Sequence, residues 1–273
     1  MGIVNVTPDS FSDGGTYASH RAALLHCERL LKDGADILDI GGESSRPGAL
    51  PLPLNEELSR VLPVVADAVR LGVPISVDTY KPAIMRAVLD LGADIINDIW
   101  ALRWHSPDAE HEELGARDVV AAHPACGVCL MHMHREPRTM QMDPMQGDVV
   151  EQVIDFLRVQ GRALQAAGVQ PHRIAVDPGI GFGKTVAQNF ALLSGQQRIT
   201  ALGYPLLAGW SRKSSLVAVT GEPRVSGAPI EAQDRLVPSV IAAVLAIQRG
   251  ARIVRVHDVH ETVQAMKVLA ASR

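Results

Sequence analysis

Cysteine is scarce in this chain: three residues in 273. An odd number with no paired framework excludes a disulfide-stapled scaffold and favours a reducing cytoplasm. Long apolar runs are also missing, and no stretch approaches the ~18 residues that span a bilayer. The opening MGIVNVTPDS lacks a basic segment followed by an apolar one, so it does not read as a signal peptide. Charge of one sign is in short supply too. A net charge of −4 gives no bulk attraction to nucleic acid or anionic membrane and leaves only a local basic site open. Apolar residues, by contrast, are plentiful. Hydrophobic residues make up 47% and charged residues 21%, enough for a core in two small domains or one large α/β domain.

Short apolar runs recur, separated by helix-length segments: GIVNV (2–6), DILDI (36–40), PISVD (74–78), DIINDI (94–99), GVCLMH (127–132), RIAVD (173–177), YPLLAG (204–209) and RIVRVH (252–257). Most lack apolar/polar alternation, as parallel strands buried on both faces do. Between the first two, HRAALLHCERLLKDG (20–34) puts Leu24, Leu25, Cys27 and Leu31 on one helical stripe with Gly34 as a C-terminal cap. LKDGADILDI, LDLGADIIND and QRGARIVRVHD repeat one grammar of helix end, glycine and strand, which makes Gly34, Gly92 and Gly250 equivalent. Eight βα units in about 250 residues predict an α/β fold, a single (β/α)8 TIM barrel over 1–273 with no internal domain boundary. An open doubly wound sheet is the alternative, but it needs fewer strands and a glycine fingerprint after the first.

A barrel gathers its active site at the C-terminal strand ends, and polar residues stand at all eight. They are Asn5 and Thr7; Glu43, Ser44, Ser45 and Arg46; Asp78; Asn97 and Asp98; His132; Asp177; Ser211, Arg212 and Lys213; and Arg255 with His257. Asp78, Asn97 and Asp177 suit a flat heterocycle with adjacent N–H donors and acceptors, because a carboxylate accepts two parallel hydrogen bonds. Opposite them, Lys213, Arg255, His257 and Asn5 suit phosphate oxygens and, through Asn5, a Mg²⁺ ion. The loops 7–17 and 43–53, rich in glycine and proline, read as lids that exclude water.

Two motifs are deceptive. CGVCLMHMH (126–134) offers four zinc-type ligands, yet side chains alternate across a strand, so Cys126 and Cys129 point to opposite faces. DPGIGFGKT (177–185) ends like a P-loop, but the position that requires glycine holds Pro178, which fixes φ and donates no N–H.

Eight motifs in order resemble the bacterial dihydropteroate synthases: NVTPDSFSDGG (5–15), GGESSRPGA (41–49), SVDT (76–79), INDI (96–99), LMHM (130–133), DPGIGFGK (177–184), SRKS (211–214) and RVHD (255–258). The resemblance implies a transferase of folate biosynthesis and a sulfonamide target. That enzyme condenses (7,8-dihydropterin-6-yl)methyl diphosphate with 4-aminobenzoate, using Mg²⁺, as a cytoplasmic homodimer. It further implies that Asp78, Asn97, Asp177 and Lys213 hold the pterin, with Met131 and Phe182 beside it. Asn5, Ser45, Arg255 and His257 would hold the diphosphate, and Asn5 would carry the metal. Ser45, Arg46, Pro47, Phe182, Lys213 and Ser214 would shape the aminobenzoate site. Lys213, Asp177, Arg255 and His257 would carry catalysis, in a dissociative substitution with diphosphate leaving first.

Some positions depart from the family pattern. The short segment that usually precedes the first barrel strand is expected to be missing. Ser45 replaces the more usual Thr, Trp210 is expected to crowd the Lys213 side, and the connection 221–234 is long. Two other readings share the pterin set: a pterin-dependent methyltransferase domain, and a non-catalytic pterin-binding paralogue.

Overall fold

In the computed structural model, residues 1–6, 15–46, 48–105, 114–221 and 235–272 are described, 15–19 by their backbone alone. Six strands pair in parallel, each with the next in sequence: β1 (Gly2–Asn5), β2 (Leu38–Gly41), β3 (Ile75–Asp78), β4 (Ile95–Asp98), β5 (Gly127–Met131) and β6 (Ile174–Asp177). β7 (Leu207–Ala208) and β8 (Ile253–Val254) form a second parallel pair. Two single bridges join the pieces, Val176 to Leu206 and Gly2 to Val256, and the ring closes as a (β/α)8 barrel. β7 and β8 are shorter than the runs around them predict. At the start of the β7 run Pro205 cannot donate to a ladder, although its carbonyl still accepts from Val176 N–H at 2.9 Å.

The alternation of strand side chains sorts the barrel into two cores. Val4, Leu38, Ile40, Ile75, Val77, Ile96, Val128, Leu130, Ile174 and Val176 face outward into one large cluster with the helices. Inside, Met1, Ile37, Cys129, Ala175, Leu207 and Ile253 form an apolar plug. Above this plug the inward positions turn polar, and the site is built there. Cys126 belongs to the outer cluster and Cys129 to the plug, as alternation requires.

The helices are α1 (Gly15–Lys32), α2 (Leu54–Ala68), α3 (Pro82–Asp90), α4 (Ala116–Ala122), α5 (Val149–Ala166), α6 (Val186–Ser194), α7 (Gln196–Thr200), α8 (Ser214–Thr220), α9 (Leu236–Gln248) and α10 (Val259–Ala271). On α1 the buried stripe is Ala23, Cys27 and Leu30, with Leu24 and Leu31 at its flanks, while Leu25 is 56% exposed. The expected stripe is therefore corrected at Leu25, which lies one residue off the i, i+3, i+4, i+7 set. Gly34, Gly92 and Gly250 have φ of 97°, 101° and 97°, the left-handed turn that glycine adopts without steric cost. Among the described residues no helix is long and apolar enough to cross a membrane.

Candidate active site

The floor of the site lies directly above the apolar plug. Asp39, fully buried on β2, accepts from Ser76 Oγ at 2.5 Å, Asn97 Nδ2 at 3.3 Å and Arg255 Nε at 2.6 Å. Arg255 also donates through its second guanidinium nitrogen to Asp78 at 2.8 Å. A buried carboxylate needs such partners, because desolvation otherwise disfavours its charge. Burial works against the charge of Arg255, but Asp39 and Asp78 more than offset it and hold the guanidinium above its ordinary range. Burial pushes Asp78 up to about 7, against the pull of Arg255. Asp177 at the end of β6 is raised as well, by burial, with the Gly179 N–H and Lys213 opposing. Arg255 therefore lies among the carboxylates, a correction to the expectation that it stands across the barrel from them. Strand 8 aims its side chain into the ring, where Asp39 and Asp78 are the nearest anions.

The segment after β6 is a tight turn held by two ties. Asp177 Oδ1 accepts from Gly179 N–H at 2.7 Å. Lys184, only 2% exposed, donates to the carbonyls of His132, Gly179 and Phe182 at 3.3, 2.9 and 3.1 Å. Gly179 has φ +69°, and a Cβ there would sit 1.8 Å from the His132 carbonyl oxygen, so the turn closes only around glycine. Burial lowers Lys184 to about 7, with Asp177 opposing. The lysine that completes the P-loop imitation thus holds the loop backbone. Lys213, after β7, differs: its Nζ lies 4.3 Å from the centre of the Phe182 ring and has no hydrogen bond to a described residue. Burial lowers it to about 8, again with Asp177 opposing.

The segments after β7 and β8 brace each other. Ser211 Oγ accepts from the His257 N–H at 3.1 Å and lies 3.0 Å from His257 Nδ1, which leaves Nε2 for a ligand. Arg212 binds Asp258 through Nε at 3.1 Å and through a terminal nitrogen at 2.5 Å. Arg212 has φ +59°, an uncommon conformation for a side-chain-bearing residue that these contacts sustain. Burial and the Arg212 and Arg255 charges lower His257 to about 3, so its ring is neutral near pH 7. The Arg46 charge also bears on His257, which places the second loop near strand 8. Asn5 ends β1 half-buried, and its amide bonds to no described side chain.

Met131 and Phe182 are buried in one cluster with Tyr80, Ile99, Met133 and Met140. Ser45 is half-buried, Arg46 and Ser214 are exposed, and Pro47, Thr7 and 222–234 lie outside the described residues. Three strand-end expectations are corrected. Asp98 accepts from the N–H groups of Trp100 and Leu102, both at 2.7 Å, so it shapes a turn. His132 packs edge-on against Phe156 of α5, outside the barrel, and burial lowers it to about 2. The Trp210 side chain packs against Phe190 in the outer core at 5.3 Å between ring centres, and its carbonyl accepts from the Lys213 N–H at 3.1 Å. Alternation explains each of these: the neighbours Asn97, Met131 and Gly209 hold the inward positions.

Asp39 and Ser76 escaped the sequence reading. The signal was available, since an acid inside the apolar run DILDI has to find a partner once buried. Among the described residues no three His, Cys, Asp or Glu side chains converge as a metal site.

Residues 1–257 match the family model for pterin binding enzymes. The chain is 48% identical to the dihydropteroate synthase of Neisseria meningitidis serogroup B, over 99% of this chain and 91% of that one. A solved Xanthomonas albilineans dihydropteroate synthase with 4-aminobenzoic acid superposes with a TM-score of 0.88 at 47% identity, covering 100% of this chain and 92% of that one. Burkholderia cenocepacia dihydropteroate synthase complexed with 7,8-dihydropteroate gives 0.85 at 49% identity, covering 100% and 90%. With that barrel and that ring of carboxylates at its mouth, the chain belongs to the pterin-binding enzymes, and among them to the dihydropteroate synthases.

Proposed function

We propose that this chain joins (7,8-dihydropterin-6-yl)methyl diphosphate to 4-aminobenzoate, giving 7,8-dihydropteroate and diphosphate, as its relatives' names and bound ligands suggest. The observation that carries the reading is the buried Asn97 and Asp177 and the half-buried Asp78 beside Arg255, with the ammonium of Lys213 bonded to no described residue. Asp78, Asn97 and Asp177 pair with the N–H donors and acceptors of the pterin edge. Lys213, above the Phe182 ring, donates to the ring system from the other side.

The C–O bond to diphosphate breaks first, with its electron pair leaving on the phosphate oxygen. Asp78 and Asp177 stabilise the positive pterin methylene, and Arg255 with the neutral imidazole of His257 stabilises the leaving charge. Such preorganised electrostatics contribute on the order of 3 kcal/mol for each well-placed group. The aniline nitrogen then bonds to the methylene and gives up a proton, so no enzyme nucleophile is required. The half-buried Asn5 would hold a Mg²⁺ ion through its amide oxygen, an oxygen donor of the kind that ion favours. When bound, that ion supplies charge neutralisation to the leaving group. Ser45 and Arg46 of the second loop border the aminobenzoate with Phe182 and Ser214.

The three free cysteines fit a reducing cytoplasm. The exposed Val219 of α8 and Val237 and Ile241 of α9 fit a homodimer through these helices, which light scattering coupled to gel filtration checks. Diphosphate release measured by a coupled assay tests the function. It is expected only with both substrates and Mg²⁺, and to be blocked by a sulfonamide. Folded protein that releases none overturns the reading.

A further inference from the structure

The second loop leaves β2 at Gly42 and enters α2 after Pro53, and its two stems meet at a single buried cation. Lys81 Nζ donates to Glu43 Oε2 at 2.6 Å, to the Leu52 carbonyl at 2.5 Å and to Glu57 Oε2 at 2.6 Å. All three ammonium protons are used, and the side chain is 6% exposed. Glu43 accepts in addition from the Leu52 N–H at 3.1 Å and from the Tyr80 hydroxyl at 2.8 Å. Glu57, itself 1% exposed, accepts from Thr79 Oγ1 at 2.9 Å. Residues 79–81 follow Asp78 of the pocket directly, so the neck of the loop is bolted to the end of β3.

The tip between the stems is held far less. Ser44, Arg46 and Gly48 are exposed and Leu50 is 72% exposed; among the described residues, one backbone hydrogen bond leaves the tip, from Gly48 N–H to the Pro137 carbonyl at 3.1 Å. Burying three charged groups beneath a surface loop is a poor route to stability, since well-packed apolar side chains do as well. What the ion cluster does supply is a fixed position for both stems, nine residues apart.

We propose that Lys81 is a positioning residue for the amine substrate: gripped by Glu43 and Glu57, it clamps the neck of the loop that carries Ser45 and Arg46. This rests on the function proposed above. The clamp fixes where the tip can reach, and its hydrogen bonds are separate from those among Asp39, Asp78, Asn97 and Arg255.

Lys81→Met and Glu43→Gln in the full chain test it, with steady-state constants for each substrate and hydrogen exchange of residues 43–52. The expected result is a rise of at least tenfold in the KM for 4-aminobenzoate with the KM for the pterin diphosphate within twofold. Exchange in 43–52 should quicken at least tenfold, while residues 177–184 keep their protection. A loss of folding would lower the apparent kcat with both KM values unchanged and expose both segments. Should Lys81→Met not fold, Glu43→Gln carries the test, because it keeps the Lys81–Glu57 pair. Equal changes in the two KM values, or unaltered exchange in 43–52, overturns the proposal. Wild-type protein without turnover would instead sink the functional reading, and the exchange data would still decide whether the clamp exists.

Discussion

Lys184 and Lys213 both bear on Asp177, from the loops after β6 and β7. Burial lowers both ammonium groups, to about 7 and about 8. Their hydrogen bonds differ. Lys184 gives its protons to three backbone carbonyls, whereas Lys213 lies over the Phe182 ring with none committed to a described residue. Two cations beside one acid, Lys184 buried and Lys213 half-buried, thus differ in how their protons are committed among the described residues. The saturated one holds the loop, and the other keeps its protons clear of described hydrogen-bond partners. Arg255 combines the two, since it ties Asp39 to Asp78 and has further N–H donors that bond to no described residue.

The largest effect is expected where the two roles coincide. Arg255→Met leaves Asp39 buried without its cation, and breaking a buried pair in this way costs about 3–5 kcal/mol. Urea unfolding should show that loss together with near-absent turnover; a variant of unchanged stability would remove Arg255 from the floor. Next comes Lys213→Met, which should lower kcat/KM about 10²–10³-fold, as loss of one preorganised group does, with the urea midpoint unchanged or higher. Lys184→Met should invert that pattern. Leaving buried carbonyls unpaired costs about 1–3 kcal/mol, while kcat/KM per folded molecule should change little.

A pH profile sharpens the comparison further. Asp78 must stay a carboxylate, and it gains a proton as pH falls through about 7. Lys213 must stay an ammonium, and it loses its proton as pH rises through about 8. In free enzyme kcat/KM should therefore follow a narrow bell with limbs near those values, and Lys213→Arg should remove the alkaline limb. A flat profile from pH 6 to 9 would contradict both assignments. The smallest effect is assigned to Ser45→Thr, which restores a methyl group on the half-buried loop residue. The KM for 4-aminobenzoate should change only a few-fold, in keeping with the ~1 kcal/mol of one buried methyl.

The barrel was legible in the sequence because parallel strands buried on both faces leave unbroken apolar runs, and a glycine marks three of the helix-to-strand turns, at 34, 92 and 250. Asp78, Asn97, Asp177 and Arg255 were legible because alternation and strand ends place them inward. What remained hidden depends on pairings between distant segments. Asp39 meets Arg255 across 216 positions, and Lys81 joins Glu43 across 38. Neither spacing has a local signature. Trp210, His132 and Asp98 were misjudged for a simpler reason: at the last residue of a strand, a shift of one position exchanges inside for outside.

A single-turnover experiment reaches the central claim most directly. Enzyme in excess over the pterin diphosphate is mixed with Mg²⁺ and labelled 4-aminobenzoate, and labelled 7,8-dihydropteroate is counted. The account predicts one product per pterin diphosphate supplied to wild type, the same end point for folded Lys184→Met, and a rate about 10²–10³-fold lower for Lys213→Met. No product from folded wild type, or an undiminished rate from Lys213→Met, would contradict it.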